Sequence, residues 1–133
     1  MTIVVGYSPQ PPGEDALRVA IDMALEKDEN LVVVNTTRGD AYADPRYARA
    51  QDMQRVKRQL ADSGVRFDLR QTIVAEGAAH AILEAASHPD ATLIVIGVRH
   101  RSAVGKLIMG SVAQTVILDS RLPVLSVKAP ADA

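Results

Sequence analysis

The residues able to do chemistry concentrate between Gly97 and Ser111, in the stretch Gly-Val-Arg-His-Arg-Ser-Ala-Val-Gly-Lys-Leu-Ile-Met-Gly-Ser. Arg99, Arg101 and Lys106 are cationic, His100 adds an imidazole, and no acidic residue interrupts them. An apolar run, residues 91–96, leads into Gly97, and a helix pattern opens at Ser111. A glycine-punctuated cationic loop ending on a helix N-terminus is a candidate anion site, because free backbone N–H groups and the positive end of the helix dipole both face the ligand. Ser111 and Gln114 have the spacing of a capping box, so the serine hydroxyl is expected to cap the helix, a contribution of about 1 kcal/mol. A phosphate would compete for that hydroxyl, while the N–H groups behind it stay available in either case. The bland use of Arg99, Arg101 and Lys106 is a solvated basic surface.

Other constellations carry less. Gly105-Lys106 lacks the rest of a Walker loop, whose first glycine would fall at His100 and whose Ser/Thr would fall at Leu107. The dinucleotide fingerprint is missing after the first strand, where the chain reads Gly6-Tyr-Ser-Pro-Gln-Pro. The same residues exclude a nucleophile elbow, which needs a glycine two positions after the serine. His80, Glu84 and His88 recur every four residues, but one straight helix hardly supplies a closed metal shell, and an exposed polar face is the commoner outcome. No carboxylate pair is placed for acid–base work, so no catalytic residue is assigned and the chain does not read as an enzyme.

The elements that must position the loop alternate between strand and helix. Residues 2–7 form an apolar, β-branched run suited to a strand buried on both faces. The proline-rich stretch 8–13 breaks it, and a helix is expected from Glu14, with Leu17, Ala20, Ile21, Ala24 and Leu25 on one stripe. Residues 31–34 are a second buried strand. A highly charged helix follows from near Pro45 to Ser63, with Met53, Val56 and Leu60 inward and Gly64 as its stop. Val65, Phe67 and Leu69 alternate with polar residues, as in an edge strand that 71–74 extends. Ala78, Ile82, Ala85 and Ala86 mark a third helix, residues 91–96 a fourth strand, 111–119 a fourth helix and 122–127 a fifth strand. Pro123 places that last strand at an edge or itself at the strand's start. The order β-α-β-α-β-α-β-α-β predicts a parallel sheet with helices on both faces. Ligands of such sheets sit beyond the carboxyl ends of the strands, where Gly6, Tyr7, Ser8 and Gly97 would meet if strands one and four are neighbours.

Bulk properties agree with a single domain over residues 1–133. Hydrophobic residues make up 47% and charged residues 23%, an ordinary globular balance. A net charge of −1 gives no global pull toward nucleic acid or anionic membranes. The aromatics are Tyr7, Tyr42, Tyr47 and Phe67 alone, too few for a base-stacking platform. With no cysteine, disulfides and thiolate sites are excluded. The absence of a signal-peptide pattern or a run of ~18 apolar residues predicts a cytoplasmic protein.

At this level of detail the chain resembles the universal stress protein family over essentially its full length. The resemblance is carried by the strand order, by Ile3-Val-Val-Gly6, and by Gly97 and Gly110-Ser111 ahead of Leu122-Pro-Val-Leu-Ser-Val127. The family's nucleotide motif is glycine, two residues, glycine, nine residues, glycine, then Ser or Thr. Gly97, Gly110 and Ser111 match its frame, and His100 stands at the second glycine. The resemblance implies a Rossmann-like, doubly wound α/β fold, with a five-stranded parallel sheet in the order 3-2-1-4-5 and four helices on two faces. It also implies a homodimer, in many members through the fifth strand, and in one branch a bound ATP, with or without magnesium. In such a binder Gly97, Val98, Arg99 and His100, with Gly110, Ser111 and Val112, would hold phosphates and ribose. Gly6, Tyr7 and Ser8 at the end of strand one, with Thr36 at the end of strand two, would hold the adenosine. Ser8 stands where many binders have an aspartate. The competing expectation is a nucleotide-free interaction protein whose crevice His100 fills.

Overall fold

The computed structural model describes residues 1–37, 45, 47–98 and 110–128. Five strands, β1 (Thr2–Gly6), β2 (Asn30–Thr37), β3 (Phe67–Ile73), β4 (Ala91–Val98) and β5 (Val124–Lys128), alternate with four helices, α1 (Pro11–Lys27), α2 (Ala50–Ser63), α3 (Ala78–Ala86) and α4 (Ser111–Asp119). The sheet is wholly parallel, in the order β3-β2-β1-β4-β5. β1 therefore lies at its centre, paired to β2 (Val4 with Val32) on one side and to β4 (Val4 with Ile94) on the other.

Side-chain alternation along β1 assigns the two layers. Ile3, Val5 and Tyr7 face a core built with Ala16, Leu17, Ala20, Ile21 and Ala24 of α1 and Val56 and Leu60 of α2. Val4 faces the opposite core, with Ile82 of α3 and Ala113 and Val116 of α4. The β-branched, uninterrupted apolar runs of β1 and β4 suit strands covered on both faces, as the sequence predicts. β3 forms one edge and β5 the other, and Pro123 sits just before β5, where its carbonyl accepts from the Ile94 N–H at 3.1 Å.

Several boundaries differ from the sequence reading. α1 begins at Pro11 rather than Glu14, with prolines in its first two positions. Those positions need no N–H and suit a fixed φ, so the prolines start the helix instead of delaying it. Pro45 lies in a turn, and α2 starts at Ala50. Asp52 sets that start, since its carboxylate accepts from the Arg49 N–H at 3.0 Å. β2 runs on to Thr37 because β3 accompanies it, pairing Asn35, Thr36 and Thr37 with Gln71, Thr72 and Ile73. β4 extends to Val98 and β5 to Lys128 by the same mutual pairing.

One packing contact shapes the carboxyl edge of the sheet. A Cβ on Gly97 would fall inside van der Waals contact of the Pro12 carbonyl group, so the first turn of α1 rests directly on the backbone of β4. A Cβ on Gly13 would likewise collide with the backbone and hydroxyl of Ser8. Both glycines are required by close approach of the chain to itself.

Candidate functional site

Parallel pairing puts the carboxyl ends of all five strands on one side, and the chain leaves β1 and β4 toward different faces there. The opening between them is a cleft of about 450 Å³, within the range of small-molecule sites. Its floor is the end of β1 (Gly6, Tyr7 and Ser8), flanked by Thr36 of β2 and by Gly97 and Val98 of β4. Gly110, Ser111 and Val112 close it from the start of α4. Nine of the residues singled out from the sequence thus line one cleft. The remaining two, Arg99 and His100, lie outside the described residues, as do Arg101, Gly105 and Lys106.

The cleft is lined by both apolar and polar groups. Pro12, Val34, Ile82 and Ile96 give it apolar walls. Its described lining residues include no charged side chain, only the polar groups of Tyr7, Ser8, Gln10, Thr36 and Ser111 besides the backbone. The Thr36 hydroxyl lies 2.7 Å from that of Thr72 and is shared with it.

Three helices begin at this cleft, α3 by way of Ala78, and the starts of α1 and α4 differ electrically. α1 opens with Pro11 and Pro12, which have no N–H, and its Glu14 N–H is already bonded to the Gln10 carbonyl at 3.0 Å. Only Gly13 is left to offer a donor in that turn. α4 opens with Ser111, Val112 and Ala113, all with N–H groups, ahead of the first intrahelical bond from Gln114 N–H to the Gly110 carbonyl at 3.1 Å. Of these two starts, the α4 end is the one with free backbone donors suited to an anion.

The expected capping by Ser111 does not occur. Gly110 is the N-cap and Ser111 is the first helical residue, so its hydroxyl has no capping bond among the described residues. The competition between cap and ligand for that hydroxyl disappears. Gly110 itself has φ −68° and ψ 159°, open to any residue, and a Cβ there would meet no described atom within 4 Å. Unlike Gly97 and Gly13, it is not required by any described neighbour. The space beside it belongs to the cleft.

Tyr7 enters the site by its backbone rather than its hydroxyl. The ring is buried, and the hydroxyl donates to Glu14 Oε1 at 2.8 Å. Arg55 Nη2 donates to the same oxygen at 2.6 Å and Arg55 Nη1 to Asp52 at 3.2 Å. Burial above all, with the hydrogen bond to Glu14 and its charge, raises the phenol above its ordinary range. His80 and Glu84 pair at 3.2 Å on the exposed face of α3, and His88 Nδ1 accepts from the Asp90 N–H at 3.1 Å. Sequence reading missed Asn35, buried at the end of β2, whose Nδ2 donates to the Tyr7 carbonyl at 2.9 Å. Its only signal was a polar residue directly after an apolar strand. Gly13 and Pro12 were passed over as loop.

Comparison with known proteins follows the same lines. The model of the universal stress protein family matches residues 1–128. A universal stress protein from Mycolicibacterium smegmatis is 48% identical over 126 residues, covering 95% of this chain and 96% of the relative. A universal stress protein structure from Archaeoglobus fulgidus superposes with a TM-score of 0.79 at 28% identity, covering 96% of this chain and 98% of that one. A second structure from that organism, in complex with dAMP, gives a TM-score of 0.66 at 25% identity over the same shares.

The raised phenol sets a pH dependence. In the unfolded chain Tyr7 ionises near its ordinary value, ~10, while the folded state keeps the proton. The stabilisation is fully present below that pH and declines above it, by up to ~1.4 kcal/mol per pH unit. Urea unfolding at pH 8 and pH 11 is expected to show a smaller alkaline loss for Tyr7→Phe than for the wild type. Equal losses would contradict the assignment.

Proposed function

We propose that this chain, which belongs to the universal stress protein family, binds an adenine nucleotide, ATP in the first instance, in the cleft between β1, β4 and α4. Gly110 carries the reading. It is a glycine without a conformational or packing requirement among the described residues, at a helix start in the cleft that keeps its N–H donors. A phosphate accounts for both features, since it needs close approach to the backbone and several donors at once. Charged hydrogen bonds contribute about 1.5–3 kcal/mol each, so three amides and the Ser111 hydroxyl suffice for phosphate recognition. The apolar walls at Pro12, Val34 and Ile82 suit a base, and Thr36 and Ser8 supply polar contacts on that side. The A. fulgidus relative in complex with dAMP supports an adenine nucleotide.

The described wall holds no carboxylate. With no carboxylate there, a divalent ion would be held mainly by the nucleotide's own phosphates. In this reading the module is a ligand-responsive regulator of stress response rather than a fast enzyme, working in the cytoplasm as a homodimer. β5 provides the dimer surface. The Ile94 bond to the Pro123 carbonyl and parallel pairing turn the N–H groups of Val124, Ser126 and Lys128 outward, on a strand of half-buried Val and Leu. An edge of that kind is stabilised by pairing with another strand.

Isothermal titration of the purified protein with ATP is expected to give saturable binding in the micromolar range or tighter. Gly110→Leu should abolish it while the circular dichroism spectrum stays native. No heat from folded wild type at high micromolar ATP would contradict the reading. Ser126→Pro removes an outward N–H without breaking the β4 ladder. Analytical ultracentrifugation should find that variant monomeric and the wild type dimeric.

A further inference from the structure

Beyond the cleft wall, the buried amide of Asn35 joins three parts of the chain. The residue is 1% exposed. Past the last ladder pair of β1, the Tyr7 N–H still donates to the Val34 carbonyl at 2.8 Å, and the Tyr7 carbonyl accepts from Asn35 Nδ2 at 2.9 Å. Asn35 Oδ1 accepts twice, from the Ala48 N–H at 2.9 Å and from Gln71 Nε2 at 2.9 Å. Gln71 Nε2 also donates to the Ala48 carbonyl at 2.7 Å. The pattern admits one orientation of the Asn35 amide, because exchanging its oxygen and nitrogen would set donor against donor at Ala48 and acceptor against acceptor at Tyr7.

We propose that Asn35 and Gln71 are positioning residues for the cleft, fixing its floor at Tyr7–Ser8 and coupling that floor to the segment that enters α2. The geometry gives the coupling its direction. Ser8 meets Gly13 and so the first turn of α1, while Ala48 is two residues ahead of Ala50, where α2 begins. α2 holds the other side of Tyr7 as well, since Arg55 pairs with the Glu14 carboxylate that accepts the phenol. A displacement of the floor by a bound ligand therefore reaches α2 through both the carbonyl and the hydroxyl of one residue. A buried amide with all its partners satisfied has few alternative arrangements, which makes it a stiff link. Gln71 is exposed on the β3 edge and does not line the cleft, so it acts through Asn35. The ligand arm of this inference rests on the nucleotide reading; the positioning arm does not.

The test is Gln71→Met, with the neighbouring exposed Arg70→Met as control, studied first without nucleotide. Amide hydrogen exchange by NMR is expected to speed up at Ala48 and Tyr7 by about tenfold in Gln71→Met, with Val4 and Val5 unchanged; a gain of that size lies within the span of local opening energies. Arg70→Met should leave Tyr7 unaffected. Adenine nucleotide affinity in Gln71→Met should then fall by roughly fivefold at a temperature where the variant is fully folded, within the range of coupling effects. Tyr7 exchange unchanged in Gln71→Met, or moved equally by Arg70→Met, overturns the proposal whether or not nucleotide binds. Faster Tyr7 exchange with unaltered affinity overturns its ligand arm. If the wild type binds no nucleotide, the nucleotide reading fails alone and the exchange data still decide the positioning role.

Discussion

The first turn of α1 rests on β4 at Gly97, where any side chain would collide with the Pro12 carbonyl group. That contact holds the helix across the carboxyl edge of the sheet. With Gly13 set against Ser8, it fixes where β1 ends and how its chain turns. The cleft is the space that remains between this turn and the start of α4. Its existence follows from the parallel order, in which β1 is paired on both sides and its exit cannot be covered by a further strand. Its shape follows from two glycines required by neighbouring backbone.

The chemistry of the cleft follows from which backbone donors are left unpaired. The starts of α1 and α4 carry the same dipole, yet two prolines remove donors from α1, while α4 keeps Ser111, Val112 and Ala113. Between these two starts, an anion would be directed to that of α4. Gly110 fits this division, because it keeps side-chain atoms out of the end where the donors converge. The hydroxyl of Tyr7, the residue at the centre of the floor, is engaged by Glu14, and its burial serves the core rather than the ligand.

Much of this was legible in the sequence because the determining signals are local. Continuous β-branched runs gave β1, β2 and β4, and alternating Phe67 and Leu69 gave the edge strand β3. The glycine frame at Gly97, Gly110 and Ser111 pointed to the cleft and to the family. What was not legible depends on partners far along the chain. The start of α1 was misplaced because Pro11 and Pro12 read as breakers until their N1 and N2 positions are known. Ser111 read as a cap because its spacing to Gln114 is right, whereas the glycine before it takes the capping position. Asn35 could not be singled out at all, since its partners Tyr7, Ala48 and Gln71 are distributed over the chain and meet only when β1, β2 and β3 pair.

The central claim is that the phosphate end of the cleft is the start of α4 and not the start of α1. Backbone amide chemical shifts recorded while ADP is titrated into the isotopically labelled protein test it most directly. The account predicts the largest saturable changes at Ser111, Val112 and Ala113, with Gly13 and Glu14 moving little. The largest changes at Gly13 and Glu14, or saturable binding that leaves 111–113 unmoved, would contradict it.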